Sequence, residues 1–182
     1  MPKGAKVIGC KWVFKTKRDF SSNIEIYKTR LVAKGSTQQE GINYHDTFSH
    51  VSKKDSFQII MALVAHFDME LHQMDVKTTF LNGDLEEEVY MKQPERFITN
   101  GNDYIVCKLK KSICGLKQAS RQWYLKFHDV ISSFSFMENV IDQCVYHKVS
   151  GSKIILLVLY VDDIFLASND LSLLHEVKRF LS

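Results

Sequence analysis

Two adjacent carboxylates, Asp162 and Asp163, interrupt an apolar run that extends from Ile154 to Ala167. An unpaired carboxylate is costly to bury, and neighbouring acids repel each other. Because Asp is a normal turn residue, the pair can simply occupy an exposed hairpin tip. The alternative is a hairpin that presents both carboxylates to a divalent cation, which removes the repulsion. These residues alone leave both interpretations open.

A third acid, Asp75, lies near the end of a strand predicted at residues 70–76, just where the chain turns. With Asp162 and Asp163 it could complete a site of hard oxygen ligands for two Mg²⁺ ions, which favour carboxylates together with substrate phosphates. Two such ions, about 3.5–4 Å apart, would activate a hydroxyl nucleophile and stabilise a departing phosphate group. The wide spacing does not by itself establish that the three acids meet.

The elements that must position these acids mix strands and helices. Alternating and β-branched patterns predict strands at residues 9–14, 24–34, 70–76, 89–91 and 104–109, and two more within 153–168. Helical spacing predicts helices at 54–67, at 119–136 and, capped by Asp170, at 171–181. The order lacks a regular β-α-β alternation, so the sequence predicts an α+β fold.

The basic residues are unevenly distributed, although the net charge is only +3. Residues 1–34 hold nine Lys and Arg against two acids, and residues 108–126 hold six and no acid. Separate basic segments of this kind can bind phosphate groups locally. They can equally be the solvated faces of ordinary strands, and charge alone does not separate the two interpretations.

The remaining composition argues against several classes of protein. Cys10, Cys107, Cys114 and Cys144 lack zinc-ligand spacing and are interpreted as reduced structural thiols. The seven His residues are scattered and suggest no metal site. The N-terminus lacks the apolar stretch of a signal peptide, and the longest apolar run is far shorter than the roughly 20 residues of a membrane span. We therefore expect a soluble intracellular protein, cytoplasmic or nuclear, with no membrane partner.

Six ordered blocks of residues cover nearly the whole chain. They are Ile8–Lys15; Tyr27–Gly35 followed by Thr37–Gly41; Gln73–Thr78 with Phe80–Gly83; Glu86–Met91; Gly115–Ala119; and Tyr160–Asp163. Together these blocks resemble the reverse transcriptase domain of copia-type long-terminal-repeat retrotransposons, a segment of the Pol polyprotein. So many blocks in one order make the match highly specific.

The resemblance implies a right-hand polymerase fold within the α+β class. Fingers would comprise about residues 1–50 and 84–118, and an incomplete palm about 51–83 and 119–182, truncated before the thumb. The implied enzyme is a nucleotidyltransferase, an RNA-directed DNA polymerase that transfers nucleotides from dNTPs to a primer 3′-hydroxyl. It implies two Mg²⁺ ions, with Mn²⁺ as the alternative, and an RNA or DNA template-primer as partner. The sequence does not decide whether the chain forms a dimer or binds other segments of the Pol polyprotein.

The resemblance also implies roles for individual residues. Asp75 and Asp162 would be catalytic carboxylates that bridge the metal ions, with Asp163 as the supporting third. Phe80 would be a steric gate whose ring clashes with a ribose 2′-hydroxyl, although a core aromatic after a strand is the simpler interpretation. The implied dNTP-binding cations are Lys28, Arg30 and Lys34, and which of them reaches the triphosphate stays open. The implied nucleic-acid-binding residues are Lys117, Arg121 and Tyr160.

Four residues depart from the pattern of that family. Cys114 replaces a usual Tyr close to the expected nucleotide pocket, Ser120 and His50 each replace a usual Pro, and Thr79 replaces a usual Ala beside the gate. No departure touches the three acids.

The chain also stops soon after the Asp-Asp pair, whereas the family continues into a thumb, and its polyprotein adds protease, integrase and RNase H regions. We therefore expect a partial or degraded copy. Besides the polymerase, two alternatives remain: a catalytically inactive nucleic-acid-binding remnant, and a relic that folds poorly.

Overall fold

The computed structural model describes residues 5–95, 97 and 105–182. The chain divides into two compact units. The first unit contains residues up to Phe48 together with Phe80–Trp123, and the second contains Ser49–Thr79 and Tyr124–Ser182. Within the described residues, no helix combines the length and apolar character that crossing a membrane requires.

Fourteen strands and α-helices follow one another along the described residues. In chain order they are β1 (Val7–Ile8), β2 (Cys10–Arg18), β3 (Ile24–Ala33), α1 (Lys54–His66), β4 (Glu70–Asp75), α2 (Thr79–Asn82), β5 (Tyr90–Lys92), β6 (Val106–Lys108), α3 (Ala119–Ser133), β7 (Met137–Glu138), β8 (Val145–Ser150), β9 (Lys153–Tyr160), β10 (Asp163–Ser168) and α4 (Leu171–Leu181). A short 3₁₀ helix covers Gly35–Thr37.

The first unit is built from two small sheets. One is the long antiparallel hairpin of β2 and β3, and the other contains β1, β5 and β6 in that order, with β1 parallel to β5. The core of this unit consists of Ile8, Ala33, Val89, Met91, Leu116 and Ala119. The segment at Gly115 approaches β3 closely, because a Cβ there would lie 2.3 Å from the Ala33 carbonyl oxygen. Only glycine fits this backbone, whose φ is +94°.

The second unit is an antiparallel sheet with the strand order β4-β10-β9-β8-β7. Its central strands β9 and β10 are apolar on both faces, and the apolar side chains of α1 and α4 pack against these faces. On one face Ile60 of α1 packs with Val145 and Val158, and Phe57 stacks edge-on against Phe165 with ring centroids 5.0 Å apart. Both faces of these strands are therefore part of the core.

Most of the predicted elements are confirmed, with a few differences. The cap at Asp170 is confirmed, since its Oδ1 accepts a hydrogen bond of 2.8 Å from the Leu173 amide. Helix α3 ends at Ser133, earlier than predicted, because Ser135 adopts a left-handed φ of +63°. The sequence patterns did not predict β1, α2, β7 or β8. Part of the strand predicted at residues 104–109 falls on Tyr104, which lies outside the described residues.

A buried carboxylate far along the chain holds the start of α1. Asp142, 5% exposed, accepts hydrogen bonds on Oδ2 from the Lys53 amide at 2.8 Å and the Ser52 hydroxyl at 3.4 Å. Its Oδ1 accepts one from the Cys144 amide at 3.0 Å. Burial alone would raise the pKa of Asp142, but the hydrogen bonds from Lys53, Ser56 and Cys144 lower the pKa below its ordinary value. Asp142 thus replaces the side-chain cap that α1 lacks at Lys53.

Replacing Asp142 with Ala should lower the free energy of unfolding by about 2 kcal/mol, because buried donors lose their acceptor. Urea denaturation followed by circular dichroism measures this loss. The matched control is Asp129→Ala, which removes an exposed carboxylate on α3 and should change stability by less than about 0.5 kcal/mol. Equal losses in the two variants would contradict the capping role.

The contribution of Asp142 to the free energy of unfolding should depend on pH, and the direction of its pKa shift determines the sign. Because the folded pKa of Asp142 is depressed, its ionised form stabilises the fold fully above the ordinary value of 3.8. This contribution disappears as the pH falls through the folded pKa. The stability difference relative to Asp142→Asn should be constant from neutral pH to about 5 and shrink below about 4.

Candidate functional site

The strand register brings the three predicted acids to one end of the sheet in the second unit. Asp163, the first residue of β10, lies directly opposite Asp75, the last residue of β4. Asp162 comes immediately before, and its carbonyl accepts a 2.9 Å hydrogen bond from the Val76 amide. Residues directly opposite in an antiparallel pair share a face and have Cβ atoms about 4.5–5.5 Å apart. The backbone therefore gathers residues that are far apart in the sequence.

A strained turn joins β9 to β10 at this site. Tyr160 pairs with Asp163, so Val161 and Asp162 form a two-residue hairpin loop. Such loops require positive φ at the first central position, where glycine is usual. Val161 has a φ of +57°, which costs a β-branched residue about 1–3 kcal/mol. The well-packed strands on either side of the turn hold this conformation in place.

The three carboxylates have different surroundings. Asp75 is exposed, whereas Asp162 and Asp163 are half-buried. Asp163 Oδ1 accepts a hydrogen bond of 3.0 Å from Gln73 Nε2. Asp162 Oδ1 is buried, and no hydrogen-bond partner for it occurs within the described part of the chain. A buried carboxylate oxygen without a donor is costly, and a cation is the partner that its charge favours.

The donor chemistry of these residues fits a hard divalent cation, because all three acids supply carboxylate oxygens. Their side chains are nevertheless not arranged as a ligand set. Across residues 5–95, 97 and 105–182, no group of three His, Cys, Asp or Glu side chains is placed to hold a metal ion.

Gln73 is a site residue that the sequence interpretation missed. It lies two positions before Asp75 on β4, so both side chains project from the same face of the strand. Strand alternation therefore offered a signal for Gln73, but only once the register with β10 was known. The ring of Tyr160 lies on this face too, with its centroid 6.3 Å from that of Phe57. Tyr160 thus borders the acids and remains 45% exposed.

The predicted dNTP-binding residues all lie in the first unit. Lys28 and Arg30 project from one face of β3, and Lys34 follows the strand. Lys15 is directly opposite Lys28, and Lys11 and Lys17 share this face by alternation. The hairpin face therefore concentrates positive charge. Phe80, from the short helix α2, packs against the core of the first unit, as its simpler interpretation expects.

The two predicted nucleic-acid-binding cations have different partners. Lys117 Nζ donates to the Tyr44 hydroxyl at 2.9 Å and lies 4.6 Å from the centroid of that ring. Arg121 forms an ion pair with Asp46 at 3.3 Å and donates to the Phe48 carbonyl at 3.4 Å. Lys117 thus contacts a neutral phenol, whereas Asp46 offsets the charge of Arg121.

The residues that depart from the family pattern are accommodated locally. The hydroxyl of Thr79, which is buried, donates to the Val76 carbonyl at 2.9 Å. The Cys114 carbonyl accepts from the Ala33 amide at 2.8 Å, a bond that any residue could make. The ring of His50 packs 4.8 Å from that of Tyr124, and Ser120 is exposed on α3.

Comparison with known proteins identifies the family of the chain. The family model for reverse transcriptase (RNA-dependent DNA polymerase) matches residues 1–182. The chain therefore belongs to the reverse transcriptase family, and the resemblance seen in the sequence blocks is confirmed.

Among similar proteins is the retrovirus-related Pol polyprotein from transposon TNT 1-94 of Nicotiana tabacum, 48% identical over 183 residues. Those from transposons RE1 and RE2 of Arabidopsis thaliana are 38% and 37% identical over 181 residues. Each comparison covers 100% of this chain, which spans 14% of the tobacco protein and 12% of each Arabidopsis protein.

The strain at Val161 gives a testable consequence. Val161→Asn should raise the free energy of unfolding by about 1 kcal/mol relative to Val161→Thr, because Asn tolerates left-handed φ and Thr, like Val, is β-branched. Val161 is half-exposed, so both polar replacements lose similar burial. Urea denaturation of the two variants measures the difference, and equal stability would show that the turn is not strained.

Proposed function

We propose that this chain is the RNA-directed DNA polymerase domain of a retrotransposon Pol polyprotein. The supporting observation is the register that sets Asp163 opposite Asp75 with Asp162 in the adjoining turn, in a chain of the reverse transcriptase family. The reaction is in-line attack of a primer 3′-hydroxyl on the α-phosphate of a dNTP, with release of pyrophosphate. The template is RNA, or DNA in second-strand synthesis.

In this proposal the three acids would hold two Mg²⁺ ions. Asp75 and Asp162 would be the main ligands, and the buried Oδ1 of Asp162, which has no hydrogen-bond partner among the described residues, supports this choice. Asp163 has the supporting role, in keeping with its hydrogen bond to Gln73. When bound, the ions promote deprotonation of the attacking hydroxyl and neutralise charge on the phosphates. The acids themselves contribute the negative charge and hard oxygen atoms that retain the ions.

The two compact units correspond to fingers and palm in this proposal. The first unit, with its basic hairpin, is the fingers, and the second, with its acids on an antiparallel sheet, is the palm. The unit boundaries support this division because they lie close to those expected from the sequence. The cation that reaches the triphosphate is one of Lys28, Arg30 and Lys34, and its positive charge stabilises the transferring phosphoryl group. Phe80 acts as the gate against ribonucleotides, and Tyr160 contacts the nucleic acid.

Primer extension tests the catalytic assignment. With an RNA template, a DNA primer, dNTPs and Mg²⁺, Asp75→Asn and Asp162→Asn should each lower the extension rate by more than about 100-fold, because each removes a metal ligand. Glu70→Gln is the matched control, since Glu70 is an exposed acid at the opposite end of β4 and should leave the rate unchanged. Equal extension by wild type and Asp162→Asn would defeat the assignment.

A binding-only function is the second candidate. It is favoured by the finding that the acidic side chains of the described residues do not form a ligand set. This candidate predicts no extension by the wild-type chain, together with nucleic-acid binding that weakens steeply with salt. Extension by the wild-type chain that depends on Asp162 would exclude it.

The different partners of the two cations predict different effects on binding. Lys117→Gln should reduce the salt slope, the change in log affinity per unit log salt, by about 0.7–0.9, because one phosphate contact is lost. Arg121→Gln should change the slope by clearly less, since Asp46 already offsets its charge. Fluorescence anisotropy with a labelled RNA–DNA hybrid, titrated at several KCl concentrations, measures both slopes. Equal reductions would show that the ion pair with Asp46 opens on binding.

A further inference from the structure

Tyr44 contacts the ammonium group of Lys117 in two ways. The hydroxyl oxygen accepts a hydrogen bond of 2.9 Å, and the ring centroid lies 4.6 Å from Nζ. Lys117 is exposed and Tyr44 is half-buried, so the pair lies at the surface of the first unit. An ammonium group has three N–H donors, and Tyr44 engages one of them. No anion among the described residues pairs with this ammonium group, so two donors and the positive charge remain available for an external anion.

A buried polar network fixes the backbone on both sides of this pair. Gln38 Oε1 accepts a 2.8 Å hydrogen bond from the amide of Lys117 itself. Gln118, which is fully buried, donates from Nε2 to the carbonyl of Asn43 at 2.8 Å, and Asn43 precedes Tyr44. Gln38 Nε2 also donates to Gln118 Oε1 at 2.9 Å. Satisfied buried networks of this kind are rigid.

From this geometry we infer that Tyr44 is a positioning residue for Lys117 and forms with it a site for one backbone phosphate of the template-primer. The inference rests on the proposed function for its ligand. Since the phenol oxygen accepts the bond from Lys117, its own O–H can serve as a second donor. A phosphate oxygen can then accept from the phenol while another accepts from the ammonium group. The site reads no base sequence, because it contacts only the backbone.

The contribution of Tyr44 to affinity comes mainly from preorganisation. A free lysine side chain loses rotamer freedom when it binds a phosphate, and this loss weakens binding. The ring and hydroxyl of Tyr44 already restrict Lys117 before binding. Arg121 offers a contrast in the same segment, because its partner Asp46 is an anion that competes with phosphate. The neutral partner identifies Lys117 as the cation prepared for an external anion.

A purely structural role for Tyr44 makes different predictions from a positioning role. In the structural case, replacing Tyr44 lowers stability and affects binding whether or not Lys117 is present. In the positioning case, the effect on binding passes through Lys117 and disappears without it. A double-mutant cycle separates the two cases because it measures the coupling directly.

The test measures affinity for a fluorescein-labelled RNA–DNA hybrid with a single-stranded template overhang, by anisotropy, without dNTPs. The variants of the full chain are Tyr44→Leu, Tyr44→Phe, Lys117→Met and the Tyr44→Leu/Lys117→Met double variant. Tyr44→Leu should weaken binding about three- to ten-fold, and Tyr44→Phe should weaken it less because the ring remains. In the Lys117→Met background, Tyr44→Leu should have no further effect.

Salt dependence provides the second readout. Tyr44→Leu should keep the wild-type salt slope, because no charge is lost, whereas Lys117→Met should reduce it by about 0.7–0.9. Tyr90→Phe is the control for loss of a hydroxyl that bonds elsewhere in this unit, to Glu88, and should not change affinity. Losses that multiply in the double variant would overturn the positioning role. Absence of salt-dependent binding by the wild-type chain would instead overturn the proposed function itself.

Discussion

The candidate site depends on the pairing of β4 with β10. In a β-sheet, a slip of one residue moves every side chain to the opposite face. After such a slip, Asp163 and Phe165 would move together to the opposite face of the sheet, and Asp163 would no longer lie opposite Asp75. The packing of both faces prevents the slip, because Phe165 is engaged by α1 while Leu166 is fully buried on the other side. The apolar core thus determines where the carboxylates lie.

The acids lie at the end of the sheet because the interior of the sheet excludes them. Leu159 is 4% exposed and Tyr160, the next residue, is 45% exposed, so β9 leaves the core within a single step. Beyond this point the chain is more exposed, so carboxylates avoid part of the cost of burial there. Directly after Tyr160 the chain must turn tightly to enter β10, and the strained φ of Val161 results from this turn. Apolar strands stabilise the turn that presents the acids, so stability and candidate function occupy adjacent residues.

Local sequence patterns predicted most helices and strands, but they did not predict contacts between residues that are distant in the sequence. The helices α1 and α4, the cap at Asp170 and the apolar strands β9 and β10 follow from signals that lie within a few residues. The sequence did not predict that Asp142 caps α1 or that Asp163 pairs with Asp75, because each contact joins distant residues. The two-residue strand β7 is too short to give a periodic signal. The roles of the acids came from the resemblance, since their spacing carries no such information.

Charge on a surface residue says little about binding until its partner is known. Lys117 and Arg121 both fall within one basic segment of the sequence, which treats them alike. In the structure, Arg121 pairs with Asp46, and phosphate must displace that carboxylate before it can use the guanidinium group. Among the described residues, the ammonium group of Lys117 contacts the neutral phenol of Tyr44 and no carboxylate. A phosphate therefore displaces no anion when it binds Lys117. The number of basic residues in this segment therefore overstates how many of them are available to bind phosphate. The neutral partner of Lys117 identifies it as an available cation.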